Sequence, residues 1–227
     1  MFFIDSYWLV FMLVSIAITG FAQMRVTSAF NKYSKVRSRR NISAYDAARR
    51  LLDYNGLQNV RIEKVAGKLT DHYDPRGKVL RLSDSTYSSN SVAALGVAAH
   101  EAGHAIQDQV GYAPLRIRSI LVPAANFGSQ ISWFFILGGI FLEFIGLIDI
   151  GIALFSLAVL FQLVTLPVEF NASSRALAAL EGGAILDKDE IPAARKVLNA
   201  AALTYLAATL VAILQLLRLI LLRNARR

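Results

Sequence analysis

The chain has 227 residues, of which 55% are hydrophobic and only 18% are charged, so it is more apolar than soluble domains usually are. Its 24 Lys and Arg residues outnumber its 16 Asp and Glu residues, which gives a formal net charge of +8. This composition excludes a disordered or fibrous protein and disfavours an ordinary cytosolic domain. The absence of cysteine excludes disulfides, thiol nucleophiles and thiolate metal sites.

Residues 1–24 are predicted to form a transmembrane anchor. The apolar run over residues 2–24 contains one charge, Asp5, near its outer end, and a helix needs about 20 apolar residues to cross the hydrocarbon core. A cleaved signal peptide is the alternative. However, no basic segment precedes the run and residues 20–23 make a weak cleavage site, so we interpret the segment as a retained anchor.

Residues 25–126 are predicted to form a soluble region that begins with a basic linker. The linker, residues 25–42, suits contact with anionic lipid headgroups, and no nucleic-acid partner is expected. A helix is expected over residues 43–56, because Ser43 is a typical N-cap and Gly56 is a typical C-terminal stop.

Two short strands and a further helix complete the soluble region. Residues 60–65 and 78–83 alternate with a period of two, as strands do, and the two strands are expected to pair through a loop that carries His72. Ser91 then caps an alanine-rich helix that ends at about Gln109. The sequence therefore predicts a mostly helical α+β fold with a small sheet beside this helix.

Residues 127–168 are too long and apolar for a single membrane span. Residues 146–151 supply a polar, flexible break, which predicts a helical hairpin. Its two helices are expected over residues 131–148 and 150–166. A helix and connector at residues 169–199 and a C-terminal transmembrane helix with a basic tail at residues 200–227 complete a multi-pass chain of about four spans.

The charges beside the spans give conflicting signals about orientation. Basic residues near a span mark the cytoplasmic side. A large cluster follows the first span: Arg25, Lys32, Lys35, Arg37, Arg39 and Arg40. A smaller cluster follows the last span: Arg223, Arg226 and Arg227. The first span usually dominates, so we expect the soluble region to face the cytoplasm.

The motif that carries chemistry lies on the helix that Ser91 caps. His100 and His104 are four residues apart, so both imidazoles project from one helical face and can reach one Zn²⁺. Glu101 leans toward the open side of the metal, where it can take a proton from a zinc-bound water. A helix that merely carries two histidines is the alternative, but two of the three histidines in the chain stand here with an acid between them.

A catalytic zinc needs a third protein ligand, and the sequence offers two candidates. His72 is the only other histidine, and Glu169 stands where the third apolar span ends and a new helix is expected. No histidine follows His104, so patterns with a closely spaced third histidine fail. We favour Glu169, since a glutamate from a later helix is the common alternative. His72 would then steady the oxyanion of a tetrahedral intermediate, or else be an exposed turn residue.

Several segments together resemble the YugP-type neutral zinc metallopeptidases. These are DHYDP at residues 71–75, VLRLS at 79–83, AAHEAGHAIQ at 98–107 and PVEFNAS at 167–173. The resemblance covers nearly the whole chain. It implies an integral membrane, zincin-like metallopeptidase of the bacterial cell membrane. It also implies Zn²⁺ as the cofactor, His100, His104 and Glu169 as its ligands, and Glu101 as the catalytic acid and base.

Residues 169–173 look more distantly like the Glu-x-x-Ala-Asp helix of membrane gluzincins such as the CAAX prenyl proteases, where the Asp is thought to orient a ligand histidine. This chain has Ser173 at that place. The departure from Asp shifts part of the expected hydrogen-bonding support to Asn171 or Asp71. The residues predicted to support the ligands are therefore Asn171, Ser173 and Asp71.

The resemblance also places residues 79–83 along the edge of the cleft. A peptide substrate would then add to this strand through main-chain hydrogen bonds, with little side-chain selectivity. The substrate-binding residues implied in this way are Val79, Leu80, Arg81 and Leu82.

The sequence thus favours a membrane-bound zinc endopeptidase that cleaves peptides or membrane proteins near the membrane surface. Its expected partners are these substrates, the lipid bilayer, and another membrane protein or a second copy of the chain. A membrane scaffold with a structural zinc site is the alternative, with His72 closing a four-ligand shell, but such a site has no need of Glu101. A transporter would rest on three acids that fall near helix ends, where solvated caps explain them better: Asp5, Glu143 and Asp149.

Overall fold

The computed structural model describes residues 6–183 and 185–226. Within them lie six helices: Ser6–Tyr33 (α1), Ala44–Tyr54 (α2), Val92–Gln109 (α3), Ala113–Phe141 (α4), Ile145–Gly182 (α5) and Ile191–Asn224 (α6). Three short strands accompany them: Arg61–Val65 (β1), His72–Asp74 (β2) and Val79–Ser83 (β3). The mostly helical α+β class is confirmed. The start of the predicted anchor with Asp5, and Arg227 of the basic tail, lie outside the described residues.

Four of the helices are long and apolar enough to cross a membrane, namely α1 from Trp8 onward, α4, α5 and α6. This agrees with the predicted count, but the helices are longer than predicted. α4 already begins at Ala113 and α6 at Ile191. Each therefore extends its apolar stretch by a polar turn or more that hydropathy alone does not assign to a helix.

The chain reverses between α4 and α5 at residues 142–144, where Glu143 has a φ of 52°. The predicted break at residues 146–151 is wrong. Gly151 lies inside α5, and a Cβ on it would stand 2.5 Å from Cγ1 of Ile136 in α4. The glycine thus permits close helix packing, which the sequence alone does not distinguish from a flexible break.

α5 also continues where a new helix was expected at Glu169. Pro167 lacks a backbone N–H and so favours a break, yet the helix runs on to Gly182. The turns after the proline are held by packing, because Val168, Ala172 and Ala176 are fully buried.

The chain divides into two compact units. The first comprises residues 1–23, 116–167 and 204–227, and its buried cluster contains Ile136, Ile140, Ile148 and Leu219. The second comprises residues 24–115 and 168–203. It contains the sheet, α2, α3 and the C-terminal part of α5, and its core is built largely from alanine and leucine side chains.

The sheet of the second unit has the strand order β1-β3-β2. β1 pairs with β3 in parallel, as Ile62 opposite Leu80 shows, and β2 pairs with β3 antiparallel. The predicted pairing of the first and last strands is confirmed, but the segment with His72 forms a strand rather than a loop. β3 is the central strand, so the prediction that a peptide adds to it as an edge strand is wrong. Both of its edges are already paired, and three of the four proposed contact residues are fully buried: Val79, Leu80 and Leu82.

α3 begins at its predicted cap and runs through the core of the second unit. The Ser91 side chain accepts a hydrogen bond from the backbone N–H of Ala94, which satisfies one of the free donors at the helix start. Small side chains let this helix approach α5. A Cβ on Gly103 would stand only 2.7 Å from the carbonyl oxygen of Ala172 in α5, so the two backbones are nearly in contact.

Gly103→Ala is expected to destabilise the protein, because the new methyl group forces α3 and α5 apart. Overpacking of this kind costs about 1–3 kcal/mol, and alanine recovers at most about 1 kcal/mol in helix propensity. The measurement is the melting temperature of the detergent-solubilised protein. Gly96→Ala is the control in the same helix, since its Cβ would lie 3.7 Å from its nearest neighbour. A Gly103→Ala variant that melts with or above the wild type would contradict this packing argument.

Candidate metal centre

The structure brings the three predicted zinc ligands together in the second unit. His100 and His104 project from α3 and Glu169 projects from α5, and their ligand atoms all lie within 4.8 Å of one another. The Nε2 atom of His100 is 3.2 Å, and that of His104 is 3.6 Å, from the same carboxylate oxygen of Glu169. Within residues 6–183 and 185–226 this is the one such cluster of three His, Asp or Glu side chains.

The helix geometry explains how the histidines share one target. Their spacing of four residues stacks the side chains one turn apart, and the rings meet edge to face with centroids 4.7 Å apart. Gly103 lies between them in the sequence, and Ala172 lies between Glu169 and Ser173. The close backbone approach of α3 and α5 therefore falls at the centre of the cluster.

His100 is held by a hydroxyl group from α5. The Oγ atom of Ser173 lies 3.1 Å from Nδ1 of His100, and Ser173 is one helical turn beyond Glu169. Ser173, one of the three residues expected to support the ligands, therefore lies within hydrogen-bond distance of a ligand histidine. A serine hydroxyl reaches the imidazole directly because the two helices pack so closely.

His104 is held by Gln107, a residue to which the sequence assigned no role. Oε1 of Gln107 lies 3.0 Å from Nδ1 of His104. Its amide nitrogen donates to the carbonyl of Val168 at 2.8 Å and to Oδ1 of Asn171 at 2.9 Å. Both amide protons are thus used on acceptors, so the amide oxygen must face the histidine. His104 then carries its proton on Nδ1, which leaves the Nε2 lone pair directed at the cluster.

Sequence spacing held a signal for Gln107. It follows His104 by three residues and so shares its helical face. The predicted supporting residue Asn171 acts one step further away, because it accepts from Gln107 and does not touch the histidine in this network. Its Oδ1 also accepts a hydrogen bond of 2.8 Å from Nε of Arg175.

The donor set fits Zn²⁺. Two imidazole nitrogens and one carboxylate oxygen form a common catalytic zinc shell. Both histidines have their Nδ1 atoms engaged by neighbours, as metal-bound histidines usually do. Glu169 is only 1% exposed, and a buried carboxylate requires a positive partner.

Glu101 lies beside this cluster without belonging to it. The residue is buried, and burial raises the pKa of its carboxyl to about 7. A charged His100 would oppose this shift, whereas the negative charges of Glu169 and Asp71 add to it, and the backbone N–H of Tyr73 donates a hydrogen bond to the carboxylate. A divalent cation nearby would favour the ionised form.

Two residues tie β2 and the turn that follows it to α3. The Tyr73 hydroxyl donates a hydrogen bond of 2.8 Å to Asp108, and burial together with this bond raises the pKa of Tyr73. Lys78, just before β3, forms an ion pair with the same carboxylate at 2.5 Å. These contacts hold the short strand next to the helix that carries Glu101.

The remaining predicted residues lie outside the cluster. The exposed His72 ring bonds the carbonyl of Thr70 at 2.9 Å and approaches Nη1 of Arg81 at 3.4 Å. Asp71 accepts hydrogen bonds of 2.8 and 2.9 Å from the backbone N–H and hydroxyl of Ser83, so it anchors the end of β3. Arg81 pairs with Glu63 on β1 at 3.2 Å. The oxyanion role of His72 stays a prediction.

Fold, motif and ligand geometry agree with the sequence comparison: the chain belongs to the family described as "Putative neutral zinc metallopeptidase", whose profile matches residues 8–224. Zn²⁺ is the cofactor that this family implies. A relative from Bacillus subtilis (strain 168), "Putative membrane protease YugP", is 47% identical over 215 residues, which cover 93% of this chain and 96% of the relative. No solved structure matches the chain. The family resemblance and the zinc cofactor expected from the sequence are confirmed.

Gln107→Leu is expected to weaken zinc binding by about 10- to 100-fold, the usual effect of removing a hydrogen-bond partner of a ligand histidine. The apolar leucine side chain cannot accept the His104 proton, so the ring loses its fixed orientation. The measurement is zinc affinity by competition with a chromophoric chelator. The control is Gln109→Leu, which removes an exposed amide that bonds the carbonyl of Asn55. Equal affinities for all three proteins would contradict the role assigned to Gln107.

Proposed function

We propose that the protein is a membrane-bound zinc endopeptidase that hydrolyses peptide bonds of peptides or membrane proteins near the membrane surface. The observation that carries the proposal is the buried carboxylate of Glu101. It lies next to the three-donor cluster but is not one of the three metal-binding groups. A purely structural metal site would need no such neighbour. Membership of a zinc metallopeptidase family supports the same conclusion.

In this proposal His100, His104 and Glu169 hold the metal ion. When bound, Zn²⁺ supplies a Lewis acid that polarises the scissile carbonyl and makes water acidic enough to react. Glu101 accepts the proton of the attacking water as its oxygen bonds to the carbonyl carbon. Glu101 then gives this proton to the amide nitrogen as the C–N bond breaks, which yields a carboxylic acid and an amine.

We propose that the substrate peptide pairs with β2, and not with β3 as the sequence implied. The N–H and C=O of one residue in an antiparallel strand point to the same side, and the N–H of Tyr73 points to Glu101. The Tyr73 carbonyl therefore lies on the edge of β2 that faces the catalytic carboxylate. An extended peptide would pair along this edge through main-chain hydrogen bonds. His72, on the same strand, is the candidate oxyanion stabiliser.

The scaffold alternative is less well supported. It requires a fourth protein ligand, and His72 is the histidine left to supply it. Within the described part of the chain the metal cluster has three members, and the ring of His72 bonds Thr70 instead. A three-donor shell leaves room for water and substrate, as catalytic zinc sites do.

We also propose a multi-pass arrangement in the bacterial cell membrane with the catalytic region on the cytoplasmic side, and the five-part division of the chain predicted from the sequence. Four apolar helices support several spans. Arg223, one of the basic residues that argued for the opposite orientation, is paired with Asp149 at 2.8 Å. Its charge is thus balanced locally, which weakens the opposing signal. The pairing also gives Asp149 a role other than transport.

Glu101→Gln is expected to lower proteolysis by about 10²- to 10⁴-fold, the range for loss of a general acid and base, with zinc content unchanged. The assay is cleavage of an unfolded reporter protein by the purified, zinc-loaded enzyme, with zinc measured by mass spectrometry. Glu181→Gln, which neutralises an exposed acid near the end of α5, is the matched control and should cleave normally. Equal cleavage by wild type and Glu101→Gln would contradict the assignment and indicate a contaminating protease.

A further inference from the structure

A cleft in the second unit, flanked by α1 and α6, carries three positive side chains. Its volume is about 360 Å³. The lining includes Arg25, Ser28 and Lys32 from α1, and Lys196, Asn199 and Leu203 from α6. Among the residues that the structure describes, no acidic side chain lines it, although the same unit contains many carboxylates.

The sequence builds this cleft from one face of each helix. Arg25, Ser28 and Lys32 are spaced by three and four residues, and the three residues of α6 follow the same spacing, so each set shares a face. The middle positions are small or neutral, which leaves room between the cations. Phe30 and Val197 pack in one buried cluster, and these residues are close neighbours of Lys32 and Lys196 in the sequence.

Two lysines of the cleft, Lys32 and Lys196, differ from other cations of the second unit in the carboxylates near them. Arg39 pairs with Asp189 at 2.6 Å and Arg40 with Asp187 at 3.3 Å. Neither Lys32 nor Lys196 forms a salt bridge with a carboxylate of the described residues. Two like charges on one cleft repel each other, so an anion bound between them would be stabilised.

We propose that this cleft binds the phosphate group of an anionic phospholipid. The position of the cations in the helices favours a lipid over a free anion. Arg25 directly follows the apolar run of α1, and Leu203 leads into the apolar run of α6. A headgroup held here would have its acyl chains beside apolar helix surface, as basic pockets near membrane spans hold anionic lipids. The proposal does not depend on the peptidase activity.

The test uses the full-length protein in a neutral detergent and measures binding of short-chain phosphatidylglycerol by calorimetry. Lys32→Gln combined with Lys196→Gln should weaken binding about 30-fold, since each cation near a lipid surface contributes a factor of about five. Lys35→Gln combined with Arg195→Gln is the matched control. It removes the same charge from exposed neighbours that do not line the cleft, and it should bind as the wild type does.

Two further ligands distinguish the source of the phosphate. Phosphatidylcholine of the same chain length should bind at least tenfold more weakly than phosphatidylglycerol, and inorganic phosphate should neither bind tightly nor compete at millimolar concentration. Tight binding of inorganic phosphate would overturn the lipid assignment. An equal loss of phosphatidylglycerol binding in both double variants would overturn the cleft as the site, and would indicate a general effect of net charge.

Discussion

At Gly103 the backbone of α3 comes so near to α5 that a side chain of even one carbon would stand 2.7 Å from the carbonyl oxygen of Ala172. The contacts between α3 and α5 at the metal centre depend on this approach. It allows the carboxylate of Glu169 to reach Nε2 of both His100 and His104. It also lets the Ser173 hydroxyl reach Nδ1 of His100, and it brings Val168 and Asn171 to the amide of Gln107 that faces His104. A wider separation would leave these polar groups buried and unpaired, which is costly.

The burial of the Glu169 carboxylate explains why the site surrounds it with groups that offset its charge. Glu169 is almost inaccessible to water, and burying a lone negative charge is strongly unfavourable. Two imidazoles beside it offset part of this cost, and a divalent cation offsets more. Metal binding is therefore expected to stabilise the packing of α3 against α5, since ligands gathered from two helices couple binding to folding. Glu101 is also buried and lies outside the cluster, so in the proposed mechanism its carboxylate stays available for proton transfer.

Local features of the site were predictable from sequence, and features that depend on packing across elements were not. The His100 and His104 pair follows from spacing within one helix, and Ser91 marks the start of that helix. Glu169 required elimination and a family resemblance, because no local pattern links residues on α3 and α5. Gln107 has a recognisable position, but its role depends on Val168 and Asn171, which only the folded chain brings near.

The sheet and the helix ends show the same limit. β2 has three residues, too few for a clear alternation, so the sequence predicts a loop at His72. The family resemblance implied that β3 lies at the edge, but β2 pairs with it on that side. Gly151 and Pro167 are both typical of breaks, yet each lies inside α5 because packing outweighs the local preference. We propose β2 as the strand that a substrate pairs with, because the backbone N–H of Tyr73 donates to Glu101.

X-ray absorption at the zinc edge of the purified protein tests the central claim most directly. The account predicts two imidazole ligands, one carboxylate and at least one non-protein oxygen, with a spectrum that His72→Ala leaves unchanged. A shell of three imidazoles that loses one in His72→Ala would contradict it. That result would establish the closed structural site of a scaffold protein and remove the basis for Glu169 as the third ligand.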